Sequence, residues 1–154
     1  SAITQQLIPI TEIITPNLSE TEILTGIHAH DQETMYQAAK ILLSQGCKAA
    51  LIKGGHLEGN RMCDLLLTQE SETPYLFEAP KVESKNTHGT GCSLSSAIAT
   101  FLALEYPLPI AVEKAKEYVY QGIMAGKDVQ IGKGHGPLNH FFATHPMHIF
   151  TKNE

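Results

Sequence analysis

The sequence predicts an α/β layer protein, and three observations carry that expectation. A short continuous apolar run, Ala49-Ala50-Leu51-Ile52, reads as a buried parallel strand. Apolar residues recur near helical spacing at Met35, Ala38, Ala39, Leu42 and Leu43, and again at Ala111, Val112, Ala115, Val119 and Ile123. In chain order the elements read strand, helix, strand, hairpin, then two helices, which is the pattern of a layered α/β domain.

Each element has its own signal. Glu12-Ile13-Ile14-Thr15 reads as a short strand ended by Pro16, with Asn17-Leu18 as a turn. Ser19-Glu20-Thr21-Glu22 has the spacing of a capping box, with Ser19 as the N-cap of a helix that reaches about Thr25 and stops at Gly26. Asp31 caps the next helix, and Gly46 ends it. The buried strand ends at Lys53-Gly54-Gly55-His56. Segments 64–67 and 75–77 read as two strands, and the polar run 68–73 joins them as a hairpin that Pro80 closes. Residues 81–91 form a polar loop. Segment 92–104 is apolar and rich in small residues, which predicts a buried helix. Pro107-Leu108-Pro109 breaks it, and Pro109 suits the first turn of the last helix. The tail after Lys127 is rich in Gly, Pro and His and is expected to be irregular.

The bulk numbers narrow the classes. The 154 residues suit one domain, and 42% hydrophobic with 18% charged residues is globular rather than disordered. A net charge of -5 without a Lys/Arg run argues against a nucleic-acid surface. No apolar stretch approaches a membrane span. Ser1-Ala2-Ile3-Thr4 does not open a secretory signal. Three widely spaced cysteines, Cys47, Cys63 and Cys92, make neither a disulfide framework nor a CxxC knuckle, so they read as reduced thiols of a cytoplasmic protein.

In layered α/β sheets, ligands sit beyond the carboxyl ends of the strands. Three polar or Gly-rich loops are expected there: Pro16-Asn17, Lys53-Gly54-Gly55 and the Gly89 turn. Gly89-Thr90-Gly91 lets successive N–H groups form an anion nest, and the following helix adds its positive end. That combination suits a phosphoryl group in transfer. A thiol in the first turn of a helix ionises more readily, so Cys92 there is placed to take a proton from an attacking hydroxyl. By spacing alone, the plainer reading of a tight turn with a packed cysteine leads, because lone Gly-x-Gly turns are common. Asn17 and Glu20 offer oxygen donors for water-mediated Mg2+, or simply cap a helix. Lys53 is a point-charge partner for phosphate, or a solvated side chain on a generic turn. His88 either polarises its loop or caps it. Eight histidines include the pairs His28/His30 and His145/His148, yet no zinc-type spacing accompanies them.

Taken together, these pieces resemble the ribokinase-like superfamily, and within it the hydroxymethylpyrimidine and phosphomethylpyrimidine kinases of thiamine biosynthesis. The matching stretches run from Ile14 to Glu20, Ile52 to His56, Asn86 to Cys92, and Gly132 to Pro137. The resemblance implies a three-layer α/β/α sandwich, of which this chain looks like the C-terminal, nucleotide-binding part of one kinase domain. It implies ATP- and Mg2+-dependent phosphorylation of a pyrimidine alcohol and its monophosphate by a cytoplasmic homodimer. Gly89, Thr90 and Gly91 would form the anion hole and Cys92 the base, where most of the superfamily has Asp. Asn17 and Glu20 would organise Mg2+ and phosphates. Lys53, Gly54 and Gly55 would lie by the nucleotide phosphates. Lys85, Thr87 and His88, with the segment after Val119, would help wall the adenine. The substrate-binding front of the family lies outside the match, so these residues alone are expected to be inactive. A Cys-type pyridoxal or pyridoxine kinase and a non-catalytic nucleotide-binding module are the competing readings, with a zinc hydrolase a distant third.

Overall fold

The computed structural model describes residues 2–56, 61–80, 82, 84, 89–129 and 135–143. The chain divides into two compact units, Ser1–Lys81 and Val82–Glu154.

The first unit is a mixed sheet with helices packed on it. Its elements are β1 (Ile13–Ile14), α1 (Leu18–Thr25), α2 (Gln32–Ser44), β2 (Ala49–His56), β3 (Arg61–Thr68) and β4 (Ser71–Pro80). The strand order is β1-β2-β3-β4. β1 runs parallel to β2, with Ile13 opposite Ala49, and the remaining pairs are antiparallel.

Met35, Ala38, Ala39 and Leu42 form the inner face of α2. They belong to one core with Ala50 and Ile52 of β2 and Leu65 and Leu67 of β3. The opposite face of the two strands is buried as well: the register partners Leu51 and Leu66 are both fully covered. This explains the unbroken apolar run at 49–52, because a strand buried on both faces cannot alternate. Each such Leu or Ile contributes roughly 1.5–3 kcal/mol by leaving water.

Several expectations need correcting. The N-cap of α1 is Asn17, not Ser19: Asn17 Oδ1 accepts from Glu20 N–H at 2.9 Å, and Asn17 N–H donates to Glu20 Oε2 at 2.8 Å. The sequence holds two overlapping boxes, Asn17/Glu20 and Ser19/Glu22, and pairing with β2 selects the first. Lys53 N–H donates to Pro16 O at 2.9 Å and Asn17 bridges Lys53, which keeps Asn17 in the extended conformation that an N-cap needs. Replacing Asn17 with Ala is expected to cost about 1 kcal/mol, read as a lower denaturant midpoint at unchanged m-value.

β2 does not stop at Lys53 but runs on to His56 across a bulge. The hairpin strands are also longer than expected, 61–68 and 71–80, with only Gln69-Glu70 in the turn. β4 lies last in the sheet and is largely exposed at Glu72, Thr73, Tyr75, Leu76 and Glu78. It therefore carries no apolar run to mark its length. Its Pro74 falls where regular pairing with β3 lapses, between Leu66↔Tyr75 and Thr68↔Ser71, so no ladder bond is lost to the missing N–H.

Asp31 caps α2 as expected, accepting from Thr34 N–H at 2.8 Å. Hydrogen bonds from the Thr34 side chain and backbone hold the Asp31 carboxyl below its ordinary value. Residues 3–10, which carried no clear signal, form a π-helical turn and a 3-10 turn that bury Ile8.

The second unit pairs α3 (Thr90–Ala103) with α4 (Leu108–Gly126). α3 is not the buried helix its composition predicts: only Leu94 and Ile98 are buried. Its hydroxyls lie on the outer face, where Ser95 Oγ and Thr100 Oγ1 return to the carbonyls of Gly91 and Ser96 at 3.1 and 2.9 Å. Small residues satisfied in this way need no core. Pro107 precedes α4, with Pro109 in its first turn, and Ala111, Val112, Ala115 and Val119 make its buried stripe. Residues 135–143 are irregular and close on α4. Asn139 N–H donates to Gly122 O at 3.1 Å, and the Tyr118 ring stacks on His140, with their Oη and Nδ1 at 3.0 Å. Among the described residues, no helix is long and apolar enough to cross a membrane.

Candidate functional site

Two groups of candidate residues are described, one in each unit. In the first, the bonds that fix Asn17 as an N-cap also set the start of α1 beside the far end of β2. Asn17, Glu20, Lys53 and Gly54 are therefore neighbours, although Glu20 and Lys53 lie 33 positions apart in sequence. Asn17 and Glu20 are exposed, and Lys53 is half-buried. The capping reading of Asn17 and Glu20 holds: both side chains cap α1. One carboxylate oxygen of Glu20 is spent on the cap, and the exposed side chain keeps a hard oxygen donor of the kind that suits Mg2+.

The glycine at 54 has a steric cause. Lys53 pairs with Asp64 and His56 with Met62, so two residues of β2 face the single Cys63 of β3. A Cβ on Gly54 would overlap the Cys63 carbonyl oxygen and lie 2.9 Å from Met35 Cε. Only glycine fits there.

Asp64 was not among the expected site residues. It is 6% exposed, and its Oδ1 accepts from Gly54 N–H at 3.0 Å. Its signal was readable in principle: a lone carboxylate between Cys63 and Leu65-Leu66-Leu67 is costly unless it is paired.

In the second group, Gly89 has φ 86° and ψ 0°, the left-handed conformation that glycine adopts most readily. It is the N-cap of α3, makes no side-chain cap, and its carbonyl accepts Ser93 N–H at 2.8 Å. Helix geometry leaves the first N–H groups of any helix without intrahelical acceptors. A left-handed residue followed by helical ones turns successive N–H groups to one side, which is the form of an anion nest. Cys92 stands in this first turn and is exposed, against the expectation of a packed thiol.

Cys47 and Cys63 are buried, and burial pushes the Cys47 thiol up to about 11. Iodoacetamide at pH 8 is therefore expected to label Cys92 in the folded protein well before the other two. Mass mapping that finds Cys47 or Cys63 modified first would contradict this arrangement.

The expected residues Lys85, Thr87 and His88, and Lys133 and Gly134 of the closing loop, lie outside the described residues. Of the histidine pairs, His145 and His148 also lie outside them. His28 and His30 are exposed, with His28 Nδ1 3.0 Å from Glu22 Oε2. Among the described residues, no group of three or more His, Cys, Asp or Glu is arranged to hold a metal ion.

The sequence matches the family described as phosphomethylpyrimidine kinase over residues 1–139. The chain belongs to the phosphomethylpyrimidine kinase family. It is 40% identical over 142 residues to a hydroxymethylpyrimidine/phosphomethylpyrimidine kinase of Rhizobium meliloti, covering 92% of this chain and 53% of that one. It is 41% identical over 143 residues to a bifunctional thiamine-biosynthesis protein of Geobacter sulfurreducens, covering 93% of this chain and 28% of that one. Among solved structures it resembles the pyridoxal kinase of Staphylococcus aureus in complex with AMP-PCP and pyridoxal. The TM-score is 0.82 at 30% identity, over 90% of this chain and 51% of that one. The fold of this family member is thus ribokinase-like α/β, as the resemblance implied. The chain spans about half the length, or less, of the curated relatives it matches.

Proposed function

We propose that this family member works in ATP-dependent phosphorylation of hydroxymethylpyrimidine and its monophosphate, in thiamine diphosphate biosynthesis. The observation that carries the reading is the start of α3, where a left-handed glycine without a side-chain cap leads into an exposed cysteine. The helix end supplies donors and positive potential for a phosphoryl group, and the thiol supplies a base beside it. Gly89, Thr90 and Gly91 form the anion hole, and Cys92 accepts the proton of the attacking hydroxyl. Lys53, with the close backbone approach that Gly54 and Gly55 permit, binds the nucleotide phosphates. Lys85, Thr87 and His88 contribute to the adenine side.

Mg2+, held through water by Asn17 and Glu20, would supply charge neutralisation of the phosphates. Their exposed oxygen donors fit such outer-sphere binding. We place the enzyme in the cytoplasm as a homodimer.

The structural likeness to a pyridoxal kinase keeps a second substrate in view. Identity favours the pyrimidine, at 40% to the kinase named for it against 30% to the pyridoxal kinase. The test is phosphoryl transfer from ATP to each alcohol by the complete gene product, compared as kcat/KM. Higher values for the pyrimidine are expected. Equal or better transfer to pyridoxal would overturn the choice of substrate. AMP-PCP binding without either product would favour a nucleotide-binding module that lacks catalysis.

A further inference from the structure

Asp64 is the one buried carboxylate among the described residues, and none of the roles above uses it. It sits in β3 at the last regular pair with β2, opposite Lys53, just before the bulge. A bulge leaves its extra residue outside the regular ladder. Here the Gly54 N–H is taken by the Asp64 side chain instead, at 3.0 Å and out of contact with solvent. An apolar residue would pack more cheaply between Cys63 and Leu65, so a buried carboxylate there calls for a structural use.

We propose that Asp64 is a positioning residue for the Lys53-Gly54-Gly55 bulge. Its carboxylate replaces a ladder bond missing at the bulge and pins Gly54 in one place. This keeps the Lys53 ammonium and the adjoining backbone set for a polyphosphate. Among the described residues Lys53 forms no ion pair, so its charge is not consumed by the carboxylate across the strand. Preorganisation of this kind lowers the ordering cost of binding. The polyphosphate part of the proposal rests on the kinase reading above; the pinning of Gly54 does not.

The test compares Asp64→Asn and Asp64→Leu with the unmodified chain, by amide hydrogen exchange at Gly54 and by AMP-PCP titration. The carboxamide oxygen of Asn still accepts from Gly54, whereas Leu has the bulk without an acceptor. Asp64→Leu is expected to lose protection at Gly54 by about tenfold or more and to bind AMP-PCP several-fold more weakly. Asp64→Asn is expected to keep both within about twofold, on the same hydrogen-bond argument. Unchanged protection at Gly54 in Asp64→Leu overturns the proposal. So does loss of protection, or loss of nucleotide affinity, in Asp64→Asn, and that arm stands even if the Leu variant does not fold. If the unmodified chain binds no AMP-PCP, the kinase reading fails instead, and exchange at Gly54 still decides whether Asp64 pins the bulge.

Discussion

In the complete gene product, replacing Cys92 with Ala is expected to lower ATP-dependent phosphorylation of the pyrimidine alcohol by about 10²- to 10⁴-fold, the usual contribution of a positioned general base. AMP-PCP affinity should stay nearly unchanged. The separation follows from geometry: the thiol is exposed in the first turn of α3, while the proposed nest would use backbone N–H groups, which an Ala leaves in place. Stability should also hold, because an exposed side chain leaves no cavity when shortened. Cys92→Asp sharpens the test. A carboxylate can serve as base in the same place, and it is ionised at lower pH than a thiol. Cys92→Asp should therefore recover part of the rate, with the acid limb of its pH profile moved downward. Full activity in Cys92→Ala would remove the base assignment. Parallel loss of rate and nucleotide affinity would point to damage to the nest.

Gly54→Ala is expected to be the most destabilising small substitution in the first unit, at about 3 kcal/mol. For a chain of this size that is a fall in Tm of roughly 10 °C. The added methyl would meet the Cys63 carbonyl oxygen, which the β2–β3 ladder holds in place, and Met35, which is fully buried in the core. The carbonyl cannot move without disturbing the hairpin. Gly89→Ala is the informative control. Among the described residues nothing lies within 4 Å of a Cβ there, and the strain comes from the positive φ. Its cost should be about 1 kcal/mol. Equal costs at the two sites, measured by thermal or denaturant unfolding, would mean that the bulge relaxes around the methyl and that close packing is not what requires glycine at 54.

These glycines illustrate how the residues were legible before the structure. The Gly89-Thr90-Gly91-Cys92 turn stood out because its meaning is local: a left-handed residue, a helix start and a thiol are all set within four positions. The same holds for Asp31 at the start of α2 and for the apolar stripes of α2 and α4, where period and capping chemistry are properties of neighbouring residues. Lys53-Gly54-Gly55 is visible as a break, yet in sequence it reads as the end of a strand. Whether two glycines end a strand or bulge it depends on the strand across from them.

Composition and local pattern alone determined the α/β class, the order of the helices and the doubly buried strand at 49–52. Tertiary structure decided which of two overlapping boxes caps α1, because pairing of Pro16 and Asn17 with Lys53 holds one of them extended. It decided that β2 continues past Lys53 and that β4 is a ten-residue edge strand, because ladder bonds do not require an apolar side chain. It decided that α3 turns its small residues outward, since hydroxyls bonded back to helix carbonyls need no buried partner. It also decided that Asp64 holds Gly54. A hydrogen bond between residues ten positions apart exists only once two strands are in register, and register is set by the whole sheet.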